Sequence, residues 1–150
     1  MMNNIEILAP VGNGESLKAA VLSGADAVYF GMGNFNARRN AQNFSTDEEI
    51  KNAIEYCHRR GVKVHITLNT LIKDAEIKDA IECVKKICTL GADAIIVQDL
   101  GLAKVIKTVC PDIQMHASTQ MSVGTLEGYS RSLLHRTESV GVEGASSEGP

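Results

Sequence analysis

Five short strand-like runs, IEILA, DAVYF, VKVHITL, DAIIV and IQMHA, alternate from Ile5 onward with four segments of helical hydrophobic period. Regular β-α-β alternation leaves a chain few options. Strands joined by crossover helices lie parallel in one sheet, which predicts the α/β class. Leu17, Ala20 and Val21 share one face of the first helix, and Ile50, Ala53, Ile54 and Cys57 one face of the second. Ile77, Ala80, Ile81, Val84, Ile87 and Cys88 stripe the third; Leu102, Val105, Ile106 and Val109 stripe the fourth before Pro111 ends it. Ser45 or Thr46, with Glu48 or Glu49 three positions on, predicts a capped start for the second helix. GADA occurs at 24–27 and again at 91–94, marking the same glycine stop and strand entry twice.

The strands also say which α/β architecture to expect. Parallel strands covered on both faces read as continuous apolar runs. Here the third strand sets Val62, Val64, Ile66 and Leu68 against Lys63, His65, Thr67 and Asn69, and the fifth sets Ile113, Met115 and Ala117 against Gln114, His116 and Ser118. One face meets helices and the other is polar. A doubly wound sheet needs apolar contacts on both faces, whereas a barrel interior can turn polar toward its carboxyl end. The expected fold is therefore a partial (β/α) barrel of TIM-barrel type, with about five βα units over residues 1–126. Residues 127–150, rich in Gly, Ser and Glu, are expected to form an irregular tail that is not native to such a domain.

The 150 residues are 44% apolar and 22% charged, which suits one soluble domain or part of one. With neither a membrane-length apolar run nor a basic, apolar leader at its start, the chain is expected to be cytoplasmic. A net charge of -3 supplies no global attraction to nucleic acid. Cys57, Cys83, Cys88 and Cys110 form no CxxC pair and are expected to be ordinary reduced thiols.

In parallel α/β folds, functional side chains gather beyond the carboxyl ends of strands. Those positions supply the candidate catalytic residues Gln98, Asp99, His116 and Ser118, and the candidate substrate-binding residues Gly12, Arg38, Asn43, Asn69 and Gln120. Arg38 offers a forked guanidinium to a carboxylate or phosphate, and Gly12 a backbone N–H ahead of a helix. Asp99 has a second reading as the N-cap of the following helix. Arg38, Asn69, Asp99 and His116 are expected to converge on one pocket. No hydrolytic centre is identifiable: Ser118 and His116 lie about 6.6 Å apart along one strand, and GxSxG is absent. His65, His116, Glu6 and Asp99 lack metal-ligand spacing, so no metal is expected and the histidines read as hydrogen-bonded interior residues. HRR at 58–60 reads as cations closing a helix rather than as a nucleic-acid patch.

Taken together, EILAPVGN, GADAVYFG, the loop from Phe35 to Phe44 with NFST, GVKVHITLN, GADAIIVQDLG and HASTQMS resemble the N-terminal part of the collagenase-like peptidase family of unknown catalytic mechanism. The resemblance covers roughly residues 5 to 127. It implies a barrel-like N-terminal domain, and it marks Glu6, Pro10, Gly12, Gly31, Arg38, Asn43, Asn69, Gln98, Asp99, His116, Ser118, Thr119 and Gln120 as motif positions.

The same resemblance implies a peptide or protein substrate, and it leaves open tRNA or rRNA hydroxylation and oxygen-independent quinone hydroxylation, which relatives perform. Several relatives bind an iron-sulfur cluster through cysteines downstream of HASTQ. No cysteine follows Cys110 here, so no cofactor is expected within this chain. With five strands where a closed barrel has eight, self-association through an open barrel edge and little activity alone are expected; the alternative is a non-catalytic fragment that only binds or remains unfolded.

Overall fold

The computed structural model describes residues 5–37 and 44–121. Five strands, β1 (Leu8–Pro10), β2 (Ala27–Gly31), β3 (Lys63–Leu68), β4 (Ala94–Val97) and β5 (Gln114–Ala117), form one sheet. All pairings are parallel, and the strand order is simply β1-β2-β3-β4-β5. This order excludes the doubly wound alternative, in which the chain reverses direction across the sheet. Sequential parallel strands with one helix per crossover are the construction of a (β/α) barrel, here present as five strands.

Four helices fill the crossovers: α1 (Gly14–Leu22), α2 (Asp47–His58), α3 (Ile77–Leu90) and α4 (Leu100–Val109). Each helix touches the next, so they form one layer on one face of the sheet. Val28, Phe30, Val64, Ile66, Leu68, Ile95 and Val97 point into that layer and are almost fully buried. They meet Leu17, Ile54, Cys57, Ala80, Val84, Ile87, Leu102 and Ile106 from the helices. Burial of each large aliphatic side chain contributes about 1.5–3 kcal/mol. The stripe predicted for α3 narrows to Ala80, Val84 and Ile87 as its buried members.

The helix ends follow their local chemistry. Thr46 Oγ1 accepts from Glu49 N while the Glu49 carboxylate accepts from Thr46 N, a reciprocal cap for α2. Asn13 and Ser16 do the same for α1, a cap not anticipated above. Gly91 ends α3 with φ 87°, a left-handed conformation that favours glycine.

One cysteine expectation is corrected. Cys88 and Cys110 form a disulfide, leaving Cys57 and Cys83 free. The cause is tertiary: α3 and α4 pack side by side, and both run back from the strand carboxyl ends. Their final turns therefore coincide, although 22 residues separate the two sulfurs in sequence. The tail expected over 127–150 lies outside the described residues.

Candidate functional site at the strand carboxyl ends

The inward face of the sheet carries Pro10, Tyr29, Gly31, His65, Thr67, Ile96 and His116, the alternate positions to the helix-facing set. Register sets Tyr29 beside His65, Gly31 beside Thr67, and Ile96 beside His116. Side chains of the non-adjacent strands β3 and β5 meet over β4: the rings of His65 and His116 stack with centroids 4.8 Å apart and planes 16° from parallel. His65 is buried, and its pKa is lowered to about 4, first by burial and then by the neighbouring His116. It is neutral at physiological pH. The expectation of hydrogen-bonded interior histidines changes at His65, whose Nδ1 is buried without a hydrogen-bond partner among the described residues.

At the strand exits, several candidates hold the framework. Asp99 accepts from Leu102 N at 2.9 Å as the N-cap of α4, and its other oxygen accepts from Ile72 N at 3.1 Å. One carboxylate thus starts a helix and fastens the β3–α3 connection. Asn69 Oδ1 accepts from Ala37 N at 3.0 Å, tying the β2 exit loop to β3. Gln98 Nε2 donates to Gln120 O at 3.4 Å, while Ser118 Oγ accepts from Gln120 N at 3.3 Å. The Gly12 N–H donates to Ser16 Oγ at 3.0 Å, so that group serves the α1 cap. Arg38 and Asn43 lie outside the described residues.

The loop after β2 contains a residue that the sequence reading did not single out. Asn36 is only 1% exposed, and its Nδ2 donates to Gly33 O at 2.8 Å. Its Oδ1 is buried without a hydrogen-bond partner among the described residues. The amide lies against Gly31: a Cβ there would collide with Asn36 Cγ. A glycine on the inward face of an otherwise well-filled strand is the signal that could have pointed to it.

Other charged groups lie elsewhere. Glu6 and Lys63 pair at 2.9 Å at the amino-terminal end of β3. His58 bonds Asp93 at 2.8 Å, Arg59 bonds Glu55 at 3.2 Å, and Arg60 lies over the Tyr56 ring, so HRR is engaged around the end of α2. A groove between residues 32–35 and α3 opens on the helical side, where Lys86 pairs with Asp47 at 3.1 Å.

No group of three or more potential metal ligands occurs among the described residues. The cysteines do not fit an iron-sulfur cluster: Cys57 is fully buried, Cys83 is half-buried and raised in pKa by burial, and Cys88 is bonded to Cys110. Nor does a described serine or cysteine meet a histidine in nucleophile–base geometry. Among the described residues no helix is long and apolar enough to cross a membrane.

Sequential parallel strands, one helical layer and a polar inward face define a TIM-barrel-like α/β protein. The chain belongs to peptidase family U32, whose model matches residues 12–132. It is 38% identical over 125 residues to the 23S rRNA 5-hydroxycytidine synthase of Escherichia coli (strain K12), covering 83% of this chain and 18% of that protein. It is 39% identical over 137 residues to a collagenase of Porphyromonas gingivalis (strain W83), covering 87% and 32%. Against a tRNA hydroxylation protein of Helicobacter pylori (strain 26695), identity is 38% over 122 residues, covering 81% and 29%. The chain thus spans less than a third of the length of these relatives. Among solved structures, the U32 peptidase Mk0906 superposes with a TM-score of 0.67 at 15% identity, over 82% of this chain and 52% of that one. A Bacillus subtilis HMG-CoA lyase gives a TM-score of 0.60 at 16% identity, over 78% and 46%. Both likenesses concern the fold.

Proposed function

We propose that this chain is the N-terminal portion of an RNA-hydroxylating member of the family, and that its inward face holds a pyrimidine base during modification. The observation that carries this reading is the stacking of His116 on a neutral His65 on the inward face. Enzymes that modify RNA bases take the base out of its stack and hold it by ring stacking and edge hydrogen bonds. Two parallel imidazoles supply a flat aromatic surface, and a neutral His65 adds no charge to be desolvated.

The relatives named for rRNA and tRNA hydroxylation support the same reading. The collagenase relative supports peptide cleavage instead. Hydrolysis requires an activated nucleophile, and the described groups are poorly suited: no described serine meets a histidine in nucleophile–base geometry, and burial raises the Cys57 thiol to about 11.

Photocrosslinking tests the site. RNA carrying 4-thiouridine, irradiated with the full chain, is expected to label peptides from β3 or β5. Labelling confined to the outer helices, together with gelatin cleavage by the same preparation, would favour the peptidase reading.

A further inference from the structure

We propose that Asn36 is a substrate-positioning residue whose Oδ1 accepts a hydrogen bond from an N–H on the edge of a pyrimidine base. This rests on the RNA reading above and adds a specificity determinant to it. Three features carry the assignment.

The oxygen is the amide atom left over, because Nδ2 is committed to Gly33 O at 2.8 Å. That bond fixes the amide orientation, since a flipped amide would set oxygen against oxygen. A buried acceptor without a donor among the described residues is uncommon in folded proteins and calls for an explanation, which a donor on a bound base would supply.

The surroundings are arranged to keep it there. Gly31, facing inward, leaves the space that the amide occupies, and any Cβ would collide with it. Asn69 Oδ1 clamps the next residue through Ala37 N at 3.0 Å, so β3 holds the loop that carries Asn36. Thr67, the register partner of Gly31, borders the same inward surface. A side chain fixed by two neighbouring contacts is preorganised for binding.

The ligand must therefore present a donor. Uracil offers N3–H and cytosine offers its exocyclic N4–H₂; methylation removes either donor without destroying the ring.

Saturation-transfer NMR on the full chain would compare uridine with N3-methyluridine, and cytidine with N4,N4-dimethylcytidine. The proposal expects methylation to weaken binding of the preferred base about tenfold or more. In Asn36→Ala, checked for an unchanged thermal midpoint, that discrimination should fall to within about twofold. The wild-type comparison stands even if the variant fails to fold, because the change is on the ligand. Equal binding within both pairs would overturn the role of Asn36 while leaving base binding intact. Binding of none of the four nucleosides would overturn this proposal together with the RNA reading. An unchanged discrimination in a folded Asn36→Ala protein would assign the selectivity to another residue and overturn the proposal.

Discussion

His65 and His116 stack face to face at 4.8 Å although a whole strand, β4, lies between theirs. With neighbouring strands about 4.8 Å apart, the two imidazoles lean toward each other across β4 to close the gap between β3 and β5.

Acid should reveal the cost of burying His65. Its folded pKa of about 4 lies below the ordinary 6.5, so between these values the unfolded chain binds more protons. Stability from this group is fully present above pH 6.5 and is lost as pH falls toward 4. The loss should amount to at most about 3 kcal/mol. Urea unfolding across this range should show the decline, and His65→Gln should flatten it. An NMR titration placing the His65 midpoint near 6.5 would contradict the assignment.

Asp99 should behave as a framework residue. Asp99→Ala removes acceptors from Leu102 N and Ile72 N and is expected to cost about 1–3 kcal/mol. Asp99→Asn retains a cap oxygen and should recover at least half of that. Equal losses for the two variants in urea unfolding would argue against the capping geometry.

Gly31→Ala should destabilise by about 1–3 kcal/mol, because its Cβ has no room beside Asn36. Combining it with Asn36→Ala should relieve the clash, so the two effects should be strongly non-additive. Simple additivity in a double-mutant cycle would show that the residues do not touch.

Thiol counting checks the cysteine arrangement. Without reductant, alkylation in denaturant should label Cys57 and Cys83 only, and reduction should release Cys88 and Cys110. Four labelled cysteines before reduction would contradict the bond.

Much of the barrel was legible because its determinants are local. The helix stripes, the glycine stops and the polar alternation in VKVHITL each lie within a few residues, and together they favoured a barrel with one helical face. Asp99 was legible as a capping aspartate for the same reason. What could not be read depends on residues distant in sequence. The Cys88–Cys110 bond needs α3 and α4 side by side, and the histidine stack needs β3 and β5 placed on either side of β4. Asn36 was hidden among the asparagines of its loop, since its burial depends on an absent side chain at Gly31.

The most direct measurement is nucleoside mass spectrometry of total tRNA and rRNA from the source organism, with and without the gene encoding this chain. The account predicts that deletion removes a hydroxylated pyrimidine, that the intact gene restores it, and that a His116→Ala copy does not. An unchanged set of hydroxylated nucleosides, with loss of gelatin-degrading activity in the same strain, would contradict the RNA-hydroxylation account and support proteolysis.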